Sequence, residues 1–211
     1  MAIHAHPDDE SSKGAGMMAK YATVGRVKVV TATGGERGSI LNPALMGDEH
    51  ILQNMTAIRR DEMAAAAEAL GIEHSWLGFI DSGLPEGDPL PPIPEGSFSL
   101  EPMDVVVAAL VREIREFRPQ VVTTYNEFGG YPHPDHIRVH TASIAALAAA
   151  HDPYAYPEAG EPWLVSKVYY DAGFNPERIE AFHKILLEST GSSPFTDWLS
   201  MRRDTPINVS A

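Results

Sequence analysis

The chain has no cysteine among its 211 residues. That removes disulfides, thiolate metal sites and cysteine nucleophiles together, and leaves His, Asp and Glu as the side chains any metal would have to use. It also lacks an apolar run near the roughly 18 residues a membrane span requires. Its opening, MAIHAHPDDE, carries neither a basic stretch nor an apolar one, so no secretory leader is expected. Positive charge is scarce: 16 Lys and Arg against 29 Asp and Glu give a formal net charge of −13. A phosphate backbone is bound by a basic face, so nucleic acid is excluded as a partner. The signatures G-x-S-x-G, H-E-x-x-H and the P-loop are missing as well, which sets aside serine hydrolases, zincins and P-loop NTPases. What remains is a moderately acidic chain, 44% apolar and 21% charged, with the composition of an ordinary globular domain. It is expected to act in the cytoplasm on a small molecule, away from membranes. Its oligomeric state is not written in the sequence.

Short β-rich runs alternate with helical ones. Strands are predicted at 2–5, 27–31, 75–77, 121–125 and 167–170, and helices at 12–24, 51–70, 103–117 and 136–149. Gly71 suits a helix C-cap, Pro119 stops the helix ending near Phe117, and 84–102 reads as a long Pro- and Gly-rich loop. Strands separated by helices imply an α/β, Rossmann-like, mostly parallel sheet flanked by helices. One hydrolase domain is expected over 1–211, cut from a longer protein at both ends, with 206–210 opening an edge strand. Ligands of such sheets sit at the carboxyl ends of the strands. The segments to search are therefore those after residues 5, 31, 77 and 125.

Two of those segments hold clusters. A-H-P-D-D-E occupies 5–10, and Y-P-H-P-D-H occupies 131–136. Each places a histidine three residues before another donor, a spacing that brings two side chains to one side of a turn. Facing each other, the clusters supply two histidines and a carboxylate, the usual set for a catalytic zinc with an open position. Asp8 and Asp9 cannot easily both reach one ion from a tight turn. One as ligand and the other as base for an activated water is the natural division. His140 could pair with His136 along a helix but lies a turn deeper. His4 alternates onto the same strand face as His6 and is expected beneath the site.

The A-H-P-D-D-E start, G-G-E-R-G at 34–38, R-x-x-E at 59–62, D-S-G-L at 81–84 and P-H-P-D-H at 132–136 together resemble the PIG-L/LmbE-like deacetylases. That resemblance implies a zinc-dependent hydrolase of amides on glucosamine, the same ligands also accepting ferrous iron. It implies His6, Asp9 and His136 as metal ligands and Asp8 as general base. It implies Tyr131 for oxyanion stabilisation, His133 as an acid or electrostatic partner, Asp135 to orient His133, and Arg59 and Asp81 for substrate binding. Longer stretches, such as E-S-S-K-G-A at 10–15, W-L-G-F-I-D-S-G-L-P at 76–85 and A-G-E-P-W at 159–163, look most like the branch that cleaves mycothiol S-conjugates. The implied substrate is then a small-molecule thiol conjugate, with a glucosamine-inositol deacetylation as the alternative. Asn126, Phe128 and Ala172 depart from that branch, where Asp, Asn and His are expected.

Lys13 is expected near the N-terminus of the predicted helix 12–24, where the dipole disfavours a cation by about 0.3–1 kcal/mol. From there it would reach over the metal to the acetylcysteinyl part of a conjugate. Two rival readings are a non-catalytic sugar-binding domain and a dinucleotide-binding one. The latter rests on G-x-G-x-x-A at 14–19 with Glu36 about 20 residues on. The intact carboxylate pair speaks against the first, and the distance of the glycines from the first strand speaks against the second.

Overall fold

The computed structural model of the chain describes residues 1–40, 42–171 and 176–200. The strand start expected at 206–210 and the departure at Ala172 lie outside them. The chain divides into two compact units, Met1–Asp171 and Ala172–Ala211.

The first unit is built on five parallel strands, β1 (Ala2–His4), β2 (Lys28–Thr33), β3 (Glu73–Phe79), β4 (Val121–Thr124) and β5 (Lys167–Tyr170), in the order β3-β2-β1-β4-β5. The order turns back at β1, so the carboxyl ends of β1 and β4 diverge into a crevice. Between the strands run α1 (Asp9–Ser12), α2 (Ala15–Ala22), α3 (Glu49–Leu70), α4 (Met103–Phe117) and α5 (Pro134–His151). In the second unit, α6 (Pro176–Thr190) and α7 (Thr196–Ser200) are described. Sequence periodicity did not mark either.

The packing follows the pattern of the side chains. On α4, Val106, Val107, Leu110, Val111 and Ile114 form one buried stripe at helical spacing. It packs with Ile3, Val30 and Val122 of the sheet. On α5, the fully buried Ala142, Ala146 and Ala150 repeat every four residues, a stripe thin enough to let neighbouring backbone come close. Met18 of α2 joins Ala2 and Val29 in a separate cluster. Asp48 caps α3 by accepting from the amides of His50 and Ile51, and Gly71 ends it in the left-handed conformation.

One predicted helix is broken. The span 12–24 divides at Lys13 and Gly14, where Gly14 adopts a φ of +107°. Lys13 consequently caps the C-terminal end of α1 instead of opening a helix, and the dipole cost anticipated for it does not apply. The same break leaves Gly14 to Ala19 well beyond the end of β1, so those glycines do not form a strand-to-helix phosphate turn. No described helix is long and apolar enough to cross a membrane.

Candidate metal centre

His6 and Asp9 leave the end of β1 on a tight turn, and His136 sits in the first turn of α5. Pro134 at the start of α5 has no amide hydrogen to leave unsatisfied. The His133 ring accepts the Asp135 amide at 3.1 Å and caps the helix. Three donor atoms converge. His6 Nδ1 lies 3.3 Å from His136 Nε2, and Asp9 Oδ2 lies 3.8 Å from each of them. Donors held at about 2.1 Å by a tetrahedral ion stand about 3.4 Å apart, so the triangle has the right size for one ion.

The outer nitrogens support this. His136 Nδ1 donates to the Gly129 carbonyl at 2.9 Å, and His6 Nε2 faces Asp135 Oδ2 at 3.2 Å and Asp81 Oδ1 at 3.4 Å. With those outer nitrogens committed, the inner ones, His6 Nδ1 and His136 Nε2, face each other and Asp9, where an ion would take their lone pairs. Gly129 makes the approach feasible. Its φ is +71°, and a Cβ there would stand 2.7 Å from the His136 Cβ and 2.8 Å from the Tyr131 carbonyl.

Asp9 is almost wholly buried, at 3% exposure. Its Oδ2 accepts from the His6 amide and the Tyr125 hydroxyl, and its Oδ1 from the Lys13 ammonium. Burial raises its pKa, yet the charges of Lys13, His4, His136 and His6 hold it well below the usual carboxylate range. Burial lowers His6, but hydrogen bonds to Asp135 and Asp81 and the charges of Asp81 and Asp9 outweigh it, pushing the ring up to about 10. Burial brings His136 down to about 3. Three carboxylates, Asp9, Asp81 and Asp135, stand within 3.8 Å of the His6 ring, a negative surrounding that a divalent cation would balance.

The other predicted residues gather around this point, several in arrangements the sequence did not suggest. Asp8 is exposed, with a φ of +115°, and its Oδ2 accepts from Arg59 at 2.7 Å. Arg59 also donates to the Pro7 carbonyl, so the guanidinium clasps the Asp8 turn. The Tyr131 ring lies edge-on to His136 at 4.7 Å. Burial and then the charges of Asp9 and Asp8 push its phenol up to about 12, keeping it a proton donor at neutral pH. His133 stands T-shaped to His6 at 4.6 Å, its pKa lowered by burial and by His6. Asp135 was expected to orient His133 through its carboxylate. Instead the backbone amide of Asp135 holds that ring, while the carboxylate takes the Ser82 amide at 2.9 Å and faces His6. Lys13 was expected to reach toward substrate, but its ammonium pairs with Asp9 and lies 5.6 Å from the Tyr125 ring centre. Asp81 is 2% exposed, not open to solvent.

His140 takes no part in the triangle, its Nδ1 lying 2.9 Å from the Tyr125 carbonyl. His4 is fully buried below, 3.5 Å from Asp171. Asn126, at a departure from the amidase pattern, accepts the amides of Phe128 and Gly130 and closes the turn that delivers the Gly129 carbonyl. Two important residues escaped sequence reasoning. Tyr125, fully buried and stacked 4.2 Å from His136, accepts the Ala5 amide and donates to Asp9. Glu10, also buried, accepts the Asp8 amide at 2.8 Å and the Ser11 hydroxyl at 2.6 Å, fixing the turn from behind. Its place beside the paired aspartates was the only signal available.

Residues 1–147 match the family model PIG-L: GlcNAc-PI de-N-acetylase. The chain belongs to the PIG-L family. It is 59% identical over 202 residues to mycothiol S-conjugate amidase of Streptomyces coelicolor, covering 94% of this chain and 69% of that protein. It is 40% identical to a 1D-myo-inositol 2-acetamido-2-deoxy-alpha-D-glucopyranoside deacetylase of Streptomyces scabiei, covering 92% of this chain but 62% of that longer protein. The N,N'-diacetylchitobiose deacetylase of Pyrococcus horikoshii superposes with a TM-score of 0.63 at 22% identity, over 94% of this chain and 73% of that one. At that identity the likeness concerns the fold.

Replacing His6, Asp9 or His136 by Ala is expected to abolish stoichiometric metal binding, while His140→Ala keeps it. Elemental mass spectrometry of the purified proteins decides. A full complement of metal in Asp9→Ala would remove Asp9 from the ligand set.

Proposed function

We propose that the protein is a zinc-dependent amidase acting in the cytoplasm. It would cleave the amide between glucosamine and the acetylcysteine of mycothiol S-conjugates, releasing an acetylcysteine S-conjugate and glucosaminyl-inositol. The observation that carries this reading is the His6–Asp9–His136 triangle with a solvent-facing carboxylate, Asp8, on the adjoining residue, held in place by Arg59. A binding protein has no use for such a pair.

When bound, the ion supplies Lewis acidity, polarising the substrate carbonyl and lowering the pKa of water. Asp8 takes the proton of the attacking water. Arg59, donating to its Oδ2 at 2.7 Å, keeps that carboxylate in place. Tyr131 donates its phenolic hydrogen to the oxygen that becomes negative in the tetrahedral state. The proton that Asp8 takes from the water is the one the departing glucosamine nitrogen needs, and His133, its ring fixed by the Asp135 amide, stands beside His6 as the electrostatic partner of that transfer. Lys13 neutralises the Asp9 oxygen that faces away from the triangle. Ferrous iron would suit the same donors.

Deacetylation of N-acetylglucosaminyl-inositol is the second reading, favoured by the deacetylase relative. The two are separated by kcat/KM of the zinc-loaded protein on both substrates. The conjugate is expected to win by about tenfold or more, because its larger acyl group adds contacts an acetyl group lacks. A ratio at or below one would transfer the assignment to deacetylation.

A further inference from the structure

Resting on the reading of Asp8 as the base that takes the proton of water, we infer that the buried Glu10 is the residue that positions it. Asp8 stands at the N-cap of α1, where an aspartate ordinarily commits its carboxylate to the first amides of the helix. Here it does not. The residue adopts a φ of +115° and a ψ of −22°, and its side chain makes no capping hydrogen bond. The carboxylate is exposed and meets Arg59 instead. Glu10 supplies the contact on the inner side of the turn. Its Oε2 accepts the Asp8 amide at 2.8 Å, and its Oε1 accepts the Ser11 hydroxyl at 2.6 Å. A capping box has two reciprocal halves, one from the N-cap side chain and one from a glutamate reaching back to the N-cap amide. Only the glutamate's half is made here, and the other half is the carboxylate that the reaction needs free.

The Pro7–Asp8 peptide unit is held at both of its polar groups. Its carbonyl accepts from the Arg59 guanidinium, and its N–H donates to Glu10. In a trans peptide those two groups point in opposite directions. The two residues therefore grip the plane from opposite sides and fix the direction in which the Asp8 side chain leaves it. Such restraint is what the backbone demands. A positive φ at a residue other than glycine persists only where its surroundings over-determine it. Arg59 arrives from α3, 51 residues along the chain, whereas Glu10 lies within the turn itself and is 2% exposed.

Two conservative variants separate positioning from charge. Glu10→Asp keeps the charge but loses one methylene, about 1.5 Å of reach, and lets go of the Asp8 amide. Glu10→Gln loses the charge but keeps both contacts, its carbonyl oxygen accepting from Asp8 and its NH2 donating to the Ser11 hydroxyl oxygen. Glu10→Asp should lower kcat by about 10–100-fold with KM within about twofold and metal still stoichiometric, and Glu10→Gln should restore all but about threefold of the loss. In the Asp8→Asn background, Glu10→Asp has no base left to misplace and should change kcat by less than about twofold. A role confined to folding would move both backgrounds alike. Equal losses in the two backgrounds, or activity kept by Asp and lost by Gln, overturn the inference. Loss of metal from Glu10→Asp also overturns it, since Glu10 would then serve Asp9. If Glu10→Asp shows no cooperative thermal transition, Ser11→Ala, at an exposed position, serves in its place. It loosens Glu10 Oε1 and should lower kcat severalfold with KM unmoved, and an unaltered kcat there counts equally against the inference. Normal turnover in Asp8→Asn alone would instead sink the assignment of the base on which this one stands.

Discussion

Asp8→Asn is expected to retain its metal and to lose about 10²- to 10⁴-fold in turnover, the usual contribution of a general base. The substitution suits the site for two reasons. Asp8 sits at a φ of +115°, a region in which Asn and Asp are tolerated better than other side chains. The amide oxygen of Asn can still accept from Arg59, which donates to Asp8 Oδ2 at 2.7 Å. Backbone and ion-dipole geometry are therefore kept, and the ability to hold a proton is removed. Alanine would confound the two. The measurements are metal content and kcat of the metal-loaded protein. Normal turnover would mean another group is the base. Loss of metal with kcat restored by excess zinc would mean Asp8 and Asp9 have exchanged roles.

The second large effect lies far from the chemistry. Arg115 of α4 is 4% exposed, and its guanidinium donates to six backbone carbonyls. They are Ala149 and Ala150 at 3.1 Å each, Asp152 and Ala155 at 2.8 Å, Tyr156 at 2.6 Å and Gly160 at 3.1 Å. Two of these carbonyls belong to the last turn of α5, whose negative end favours a buried cation. Arg115→Met fills much of the volume but leaves the carbonyls without donors. Water can re-enter for some of them, so the cost is on the order of 4 kcal/mol and not the sum of six bonds. For a chain of this size that is roughly 8–16 °C in Tm. Urea denaturation with and without the substitution reports the difference directly. Arg115→Lys should fall between, having three donors where the fork has five. A loss below about 1 kcal/mol for the Met variant would mean the 152–160 turn holds itself.

These two residues show why the sequence was readable in one place and opaque in another. The convergence of His6, Asp9 and His136 was legible because each half is local: a histidine and its neighbour three residues on, stiffened by Pro7 or Pro134, after a predicted strand. The α4 and β5 boundaries agreed with the structure because 103–117 carries a clean helical period stopped by Pro119 and 167–170 is a short β-branched and aromatic run opening after Ser166. Arg115 gives no such signal. On a helical wheel it is one more charged residue, and its partners arrive from a turn 34 to 45 residues away. Tyr125 reads as a core aromatic at a strand end, and only the folded chain brings its hydroxyl to Asp9. Lys13 was misplaced for a related reason. The apolar spacing of 12–24 suggests one helix, and the left-handed Gly14 that divides it is indistinguishable in sequence from a tolerated helical glycine. Asp81 was given to substrate by resemblance alone, and its burial under the turn at 34–37 was not legible because Glu36 and Arg37 meet it from 45 and 44 residues away.

His6 and His136 stand 130 residues apart in the chain, and β1 meets β4 through a single register pair, Ala2 with Thr123. In an unfolded chain, bringing those two rings together closes a loop whose entropy alone costs about 4 kcal/mol. The His6–Asp9 pair by itself is a weak, two-donor chelate. A cation therefore discriminates between folded and unfolded chains almost entirely, and by mass action it stabilises the folded one by about 2.7 kcal/mol at a concentration a hundredfold above its dissociation constant. A bound ion would therefore add to the chain's resistance to unfolding, and with it to proteolysis, by the same margin.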